Sequence, residues 1–210
     1  MTGKLLVLEG TDGAGKATQS KLLREWLEGK GFKVASFSYP DYSSQYGKII
    51  ESFLYSKIQL SVDEQFLVYI LDMVKDIGKV RKALDEGFVL MDRYLFSTIA
   101  YQCANGFDYQ RAKALTWMLG LEQPLAVFYI NIPLSVSMAR KGKQKAEAGE
   151  SEDKFEKDQQ LLTMVRHNYD TLMKDKFYSE NWFVVDGSGD KNAVSRDIQV
   201  KLSRLIGGAA

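Results

Sequence analysis

Residues 5–18 read Leu-Leu-Val-Leu-Glu-Gly-Thr-Asp-Gly-Ala-Gly-Lys-Ala-Thr, an apolar run followed by a glycine-rich turn and a lysine. The apolar run predicts a buried strand, and the leucine spacing after Lys16 predicts a helix that ends near Gly29 and Gly31. A strand, a glycine-rich turn and a helix in this order are typical of a phosphate-binding loop, in which backbone N–H groups and the helix N-terminus surround an anion. The stretch therefore predicts binding of a nucleoside triphosphate.

The loop also predicts which residues contact the triphosphate. Lys16 is expected to reach the β- and γ-phosphates. The residues predicted to bind the nucleotide here are Gly10, Asp12, Gly13, Ala14, Gly15, Lys16, Ala17 and Thr18. Ala17 stands where such loops place a Ser or Thr hydroxyl on Mg²⁺. Thr18 is next, but one residue along a helix is a rotation of about 100°, so we expect it on the α-phosphate side instead.

Composition narrows the class of protein and its partners. The chain has 210 residues and a formal net charge of +1, which suits one α/β domain over residues 1–210 and gives no overall field to attract nucleic acid or an anionic membrane. We find no run of about eighteen apolar residues, and the N-terminus resembles a core strand more than a signal peptide, so we expect a cytoplasmic protein.

The chain has one cysteine and one histidine, and these low numbers exclude several kinds of site. Cys103 is the only cysteine, which excludes an internal disulfide and a multi-cysteine metal site. His167 is the only histidine, which excludes a histidine pair for zinc and a histidine-based triad. A small-molecule partner fits this composition best.

Short apolar runs alternate with longer helical patterns along the chain. The predicted strands lie near residues 4–9, 33–38, 87–92, 125–131 and 182–186. This alternation predicts a five-stranded parallel sheet between two layers of helices, a three-layer α/β/α fold. Right-handed connections then bring the strand ends at Glu9, Asp92 and Asn131 to one edge, where open α/β sheets bind ligands.

Two polar segments between these elements are candidate loops. Residues 38–47 are rich in turn-forming residues yet contain three tyrosines, Tyr42 among them, which suggests contact with an aromatic or planar ligand. Residues 140–157 contain almost no apolar residues and begin with Arg140, Lys141, Lys143 and Lys145. They form either a solvated linker or a lid whose cations approach the phosphates.

The third strand ends in a pair of charged residues, Asp92 and Arg93. An acid at the end of a strand beside a phosphate loop can hold Mg²⁺ directly or through water, and the following arginine can bind a phosphate with its planar fork. The alternative is an ordinary surface ion pair.

Several motifs, in the same order, resemble those of thymidylate kinases. They are Gly-Thr-Asp-Gly-Ala-Gly-Lys-Ala-Thr-Gln at 10–19, Tyr-Pro at 39–40, Asp-Arg-Tyr at 92–94 with Ser-Thr-Ile-Ala-Tyr-Gln at 97–102, and Ile-Asn-Ile-Pro at 130–133 with Arg140. The resemblance implies a P-loop nucleoside-monophosphate-kinase fold, usually homodimeric, that transfers the γ-phosphate of ATP to dTMP with Mg²⁺.

The resemblance also implies roles for individual residues. The implied catalytic residues are Lys16 on the ATP phosphates, Asp12 between donor and acceptor, Arg93 toward the transferring phosphate and Asp92 on Mg²⁺. Arg140 is implied on the lid and adenine side. Tyr69 aligns with an aromatic that stacks on thymine, and Thr98, Tyr101 and Gln102 align with positions near the base and sugar.

Two further positions depart from the family pattern and leave the acceptor open. Asp41 and Met73 stand where the family usually has arginines that address the acceptor nucleotide, and Lys48 or Lys75 could supply a compensating cation. The alternatives are a kinase for another deoxynucleoside monophosphate or nucleoside, and a non-catalytic nucleotide-binding protein. A GTP-driven switch is disfavoured because the guanine-reading Asn-Lys-x-Asp sequence is absent.

Overall fold

A computed structural model describes residues 4–148, 154–155 and 158–207. In chain order its elements are β1 Lys4–Glu9, α1 Lys16–Gly29, β2 Val34–Ser38, α2 Gln45–Leu54, α3 Val62–Val74, α4 Ile77–Glu86, β3 Phe88–Asp92, α5 Leu95–Ala104, α6 Tyr109–Met118, β4 Ala126–Asn131, α7 Leu134–Ala148, α8 Gln159–Lys174, β5 Trp182–Asp186 and α9 Lys191–Gly207.

The five strands form one parallel sheet in the order β2-β3-β1-β4-β5. At the centre, Leu6 of β1 pairs with Leu90 of β3 on one side and with Ala126 of β4 on the other. The predicted parallel sheet and fold class are confirmed. Strands β2, β3 and β4 each begin one residue later than predicted; at β3 the reason is that Gly87 caps the end of α4.

Alternate residues of β1 face opposite layers of helices, as the two-residue period of a strand requires. Leu5 and Val7 belong to a core formed with buried residues of α2, α3, α5 and α8. Leu6 and Leu8 belong to a second core, formed with α1 and α9. Both faces of the sheet are therefore covered, and the phosphate loop leaves β1 at the centre of the sheet's C-terminal edge.

Helix α7 extends into the segment predicted as a linker or lid. It continues to Ala148, so the first part of 140–157 is helical. Lys154 and Phe155 follow in a turn, and 149–153 and 156–157 lie outside the described residues. None of the helices in the described part of the chain is both long and apolar enough to cross a membrane.

Candidate active site

The phosphate loop is shaped by glycines at close backbone contacts. A Cβ atom on Gly10 would lie 2.5 Å from the carbonyl oxygen of Ile130, and one on Gly13 would lie 2.7 Å from that of Ser137. Gly15 caps α1 with a φ of 92° and provides no side-chain hydrogen bond to the helix. The N–H groups of the first turn of α1 thus lack a side-chain cap, and an anion in the loop can accept their hydrogen bonds.

The ammonium group of Lys16 lies inside this loop. Its Nζ donates to the carbonyl oxygens of Gly10, at 3.1 Å, and Thr11, at 3.0 Å. Burial, together with repulsion from the Arg93 guanidinium, lowers the pKa of Lys16 to about 8. A bound phosphate would raise this pKa again, because a nearby anion favours the ammonium. Ala17 and Thr18 are exposed on the first turn of α1.

Glu9, at the end of β1, is a fully buried acid that joins three elements. Its carboxylate accepts hydrogen bonds from the N–H groups of Tyr94, at 2.9 Å, and Ser97, at 3.2 Å, and from the Tyr169 hydroxyl, at 2.8 Å. Burial raises the pKa of Glu9 to about 7, against the opposing charges of Arg93 and Lys16. Glu9 therefore connects β1 to the start of α5 and to α8.

Arg93 connects the end of β3 to the phosphate loop. Its φ is 67°, a conformation that is uncommon for residues other than glycine and is found at functional sites. Its guanidinium donates to Asp12 Oδ1, at 2.8 Å, and to the carbonyl oxygen of Gly10, at 3.1 Å. Although burial opposes ionisation, the charges of Arg93, Lys16 and Lys141 hold the pKa of Asp12 well below its usual range.

Asp92 is half-buried beside Lys16. Its negative charge opposes the lowering of the Lys16 pKa that burial and Arg93 cause. Among the described residues, no group of three or more His, Cys, Asp or Glu side chains could hold a metal ion. Mg²⁺ commonly binds one or two carboxylates and completes its coordination with substrate phosphates and water. Asp92 beside an anion-binding loop fits that kind of site.

A cavity of about 270 Å³ opens beside Arg93 and is lined by all six residues predicted to bind the acceptor. Seven residues predicted from the sequence line it, namely Asp12, Tyr42, Tyr69, Arg93, Thr98, Tyr101 and Gln102. The cavity is also lined by Asp72 and Met73 of α3. We call it the acceptor pocket.

Gln102 is the unusual polar residue of the acceptor pocket. Its side chain is fully buried, yet neither Oε1 nor Nε2 has a hydrogen-bond partner within the described part of the chain. Leaving such a buried donor or acceptor unpaired costs about 1–3 kcal/mol. An amide that offers one donor and one acceptor to a cavity is suited to a ligand with the complementary pair.

Arg140 and Lys141, which are adjacent on α7, lie on different sides of the site. The Arg140 guanidinium donates to the carbonyl oxygens of Gly187, at 2.9 Å, and Ser188, at 3.3 Å, in the turn between β5 and α9. Arg140 does not line the acceptor pocket, whereas Lys141 does. The helix therefore directs the two cations into different surroundings.

Phe155 is a pocket residue that the site prediction missed. It is buried, its ring centroid lies 6.0 Å from that of Phe53 and 5.8 Å from that of Tyr101, and it lines the acceptor pocket. The Lys154 N–H donates to the carbonyl oxygen of Leu54 at 3.1 Å, which holds this turn against α2. A single aromatic within a long charged segment was the available signal.

Lys75 does not provide the compensating cation considered above. Its Nζ lies 2.9 Å from Asp72, 2.8 Å from Asp76 and 3.4 Å from Asp41, so three carboxylates surround one ammonium. Neither Lys75 nor Lys48 is among the described residues that line the acceptor pocket. The hypothesis is corrected because neighbouring aspartates, which the sequence alone does not place, bind Lys75.

Comparison with known proteins agrees with this geometry. The thymidylate kinase family model matches residues 8–198. A probable thymidylate kinase of Thermococcus kodakarensis is 30% identical over 216 aligned positions, covering 96% of this chain and 98% of that protein. A thymidylate kinase of Schizosaccharomyces pombe is 31% identical, covering 76% and 77%.

The fold has a solved counterpart in the thymidylate kinase of Candida albicans. The two structures superpose with a TM-score of 0.78 at 23% identity, covering 97% of this chain and 92% of that one. The sequence resemblance and the kinase class that it implied are confirmed. The chain belongs to the thymidylate kinase family of phosphotransferases.

Proposed function

We propose that this protein transfers the γ-phosphoryl group of ATP to dTMP and so produces dTDP and ADP. The proposal rests on one juxtaposition. The Arg93 guanidinium, hydrogen-bonded to the phosphate loop through Gly10, also lines a pocket that contains the Gln102 amide, which has no hydrogen-bond partner among the described residues. A donor triphosphate on the loop and a nucleotide in the pocket would meet at Arg93.

The acceptor base would be recognised by Gln102. Thymine presents an N3–H donor beside an O4 acceptor, which complements the oxygen and the NH₂ group of one amide side chain. Tyr69 lines the same pocket and supplies an aromatic face for stacking. Thr98, Tyr101 and Tyr42 complete the set proposed around the base and sugar.

Transfer needs alignment and neutralisation of charge more than covalent chemistry by the protein. An oxygen of the dTMP phosphate forms a bond to Pγ while the bond between Pγ and the β,γ-bridging oxygen breaks, and ADP departs. Lys16 and Arg93 would stabilise the charge on the transferring group. A general base is unnecessary because the attacking phosphate is already an anion near neutral pH.

Mg²⁺ is part of this proposal. When bound, it would neutralise charge on the β- and γ-phosphates of ATP. Asp92 would hold the ion directly or through water, with the phosphates supplying other ligands because Ala17 has no hydroxyl. Asp12, bonded to Arg93 at 2.8 Å, would keep that guanidinium between the two nucleotides.

We also propose that residues 140–157 form a lid within a single domain of residues 1–210. The support is that Lys141 and Phe155 both line the acceptor pocket and that the Lys154 N–H is hydrogen-bonded to α2, so the described parts of this segment border that pocket. Limited proteolysis tests the lid. We expect cleavage within 140–157 to slow when both nucleotides are present, and equal rates with and without them would contradict closure.

A homodimer in the cytoplasm completes the proposal. Ile49 on α2 and Leu67 and Leu71 on α3 are 39%, 50% and 41% exposed, on helices that pack against each other. Apolar side chains grouped in this way are typical of surfaces buried by a second copy. Light scattering after size-exclusion chromatography would measure the molecular mass of the assembly.

A cytoplasmic location is supported by the use of ATP and by the free Cys103.

A nucleotide panel tests the reaction. ADP production would be measured with Mg·ATP and, separately, dTMP, dUMP, dCMP, dGMP or thymidine. We expect the highest kcat/KM with dTMP and no reaction without Mg²⁺. Turnover of thymidine but not dTMP would show a nucleoside kinase, and absence of turnover with measurable ATP binding would show a non-catalytic nucleotide-binding protein.

A further inference from the structure

The acceptor pocket has few positive charges for a ligand that carries a phosphate dianion. Met73, which lines it, is buried and uncharged, and Asp72, Glu51 and Asp12 contribute carboxylates. The cationic side chains among the described lining residues are Arg93 and Lys141. Binding of a phosphate group in this pocket therefore depends on those two cationic side chains.

The acidic side of the pocket is not neutralised by Lys75. Its ammonium is shared by Asp41, Asp72 and Asp76, and Lys79 also pairs with Asp76 at 2.7 Å, so three carboxylates face two ammonium groups and the net charge of the group is negative. Asp72 also accepts hydrogen bonds from the Asp41 N–H, at 2.8 Å, and the Ser44 hydroxyl, at 2.6 Å. That side would therefore repel the phosphate of an acceptor, whereas Arg93 and Lys141 would attract it.

Lys141 lines the pocket near Asp12. Its charge is close enough to Asp12 to lower the pKa of that carboxyl, and Asp12 is in turn bonded to Arg93. Arg140, one residue earlier, is rotated by about 100° around α7 and is bonded to the turn after β5. The two neighbouring cations thus have different surroundings, the turn after β5 for Arg140 and the acceptor pocket for Lys141.

We infer that Lys141 is an acceptor-specificity residue whose ammonium, together with Arg93, binds the 5′-phosphate of the acceptor nucleotide. The inference rests on the proposed function, since it assigns the phosphate contact within the same pocket. Lysine offers a point charge with three donors and no planar fork, so arginine at this position should preserve the contact.

Lys141→Gln, Lys141→Arg and a control, Lys82→Ala, test the assignment. Lys82 is exposed on α4 and does not line the pocket, so its removal changes the net charge alone. Steady-state KM would be measured for dTMP and ATP, and calorimetry would measure binding of dTMP and thymidine to protein without ATP. Thermal unfolding would check that each variant is folded.

We expect Lys141→Gln to weaken dTMP binding and raise its KM by about tenfold or more, as loss of a charge-assisted contact does. Thymidine affinity and the KM for ATP should stay within about twofold, and Lys141→Arg should restore dTMP binding. An unchanged dTMP KM, or a rise confined to ATP, would overturn the inference while wild-type turnover of dTMP would leave the proposed function intact. Failure of the wild type to bind or phosphorylate dTMP would instead remove the proposed function.

Discussion

Arg93 and Asp12 form an ion pair, with 2.8 Å between guanidinium and carboxylate, that joins the end of β3 to the phosphate loop after β1. The two residues are 81 positions apart in sequence, and the pairing of β1 with β3 brings them together. Both residues also line the acceptor pocket, so the pair lies where the loop and the pocket meet. Substitutions on either side of it should therefore affect one substrate at a time.

Lys16→Ala should abolish most turnover with little loss of stability. We expect kcat to fall by about 10³-fold, because the ammonium acts on charge that develops in the transition state. Lys21→Ala, which removes an exposed lysine from the same helix, is the matched control and should retain normal kcat. Steady-state kinetics and circular dichroism provide the measurements; a folded Lys16→Ala protein with near-normal kcat would disprove the role of the loop.

Glu9→Gln should change how stability depends on pH. The folded pKa of Glu9 is about 7, above its ordinary value of 4.5, so the folded state holds this proton more tightly than the unfolded state does. The wild type should therefore lose stability as pH rises from about 4.5 to 7, while glutamine, which does not titrate, keeps its contribution. Over that pH interval we expect the free energy of unfolding of the variant to rise by on the order of 2–3 kcal/mol relative to that of the wild type.

Urea unfolding at pH 5 and pH 7.5 would measure this difference for Glu9→Gln. Other groups titrate in both proteins, so the change in the difference between them isolates Glu9. A difference that stays constant across the two pH values would show that Glu9 is ionised throughout. The hydrogen bonds from Tyr94, Ser97 and Tyr169 would then outweigh its burial.

Asp72→Ala should destabilise the fold by about 2 kcal/mol, because the Asp41 N–H and the Ser44 hydroxyl lose their acceptor while Lys75 keeps Asp41 and Asp76. Asp63→Ala on the same helix removes a carboxylate whose ion pair with Arg111 is more than half exposed, so its cost should not exceed about 1 kcal/mol. Chemical unfolding of both variants gives the comparison. Equal losses would show that the acidic group around Lys75 contributes nothing beyond a surface pair.

The sequence predicted the features that depend on local patterns. The alternation of apolar runs predicted the strands, and the glycines with Lys16 predicted the loop, because both patterns express constraints within a few residues. The grouping of Asp41, Asp72 and Asp76 around Lys75 brings Asp41 to the end of α3, and the sequence gives no signal for that contact. The sequence therefore left the position of Lys75 open, and the structure places its ammonium among these aspartates.

Phe155 and Gln102 also show the difference between what local patterns predict and what long-range contacts determine. Gln102 was predicted as a ligand residue from a motif, but only the packing of α5 shows that its amide is buried without a partner. Phe155 lies in a charged segment whose composition predicts exposure, and it is buried because α2 and α5 provide Phe53 and Tyr101 as neighbours. Contacts between residues far apart in the sequence determine both the burial of Phe155 and the surroundings of the Gln102 amide.

Gln102→Leu should separate substrate recognition from stability. Leucine is close in size and removes two polar atoms that lack partners, so we expect stability to stay the same or rise by about 1 kcal/mol. The KM for dTMP should rise by about tenfold or more, because the pair of hydrogen bonds to the base is lost, while the KM for ATP should not change. Discrimination between dTMP and dCMP should also decrease.

Gln65→Leu is the matched control for this change. Gln65 is also buried, but its amide donates to the carbonyl oxygen of Leu60, at 2.9 Å, and accepts from Asn105, at 2.8 Å. Leucine there leaves both partners unpaired, so we expect a loss of about 2 kcal/mol with an unchanged KM for dTMP. Thermal unfolding and steady-state kinetics on both variants test the contrast. If Gln102→Leu proved as destabilising as Gln65→Leu and left the dTMP KM unchanged, Gln102 would be a structural residue, and base recognition would have to be assigned to other pocket side chains.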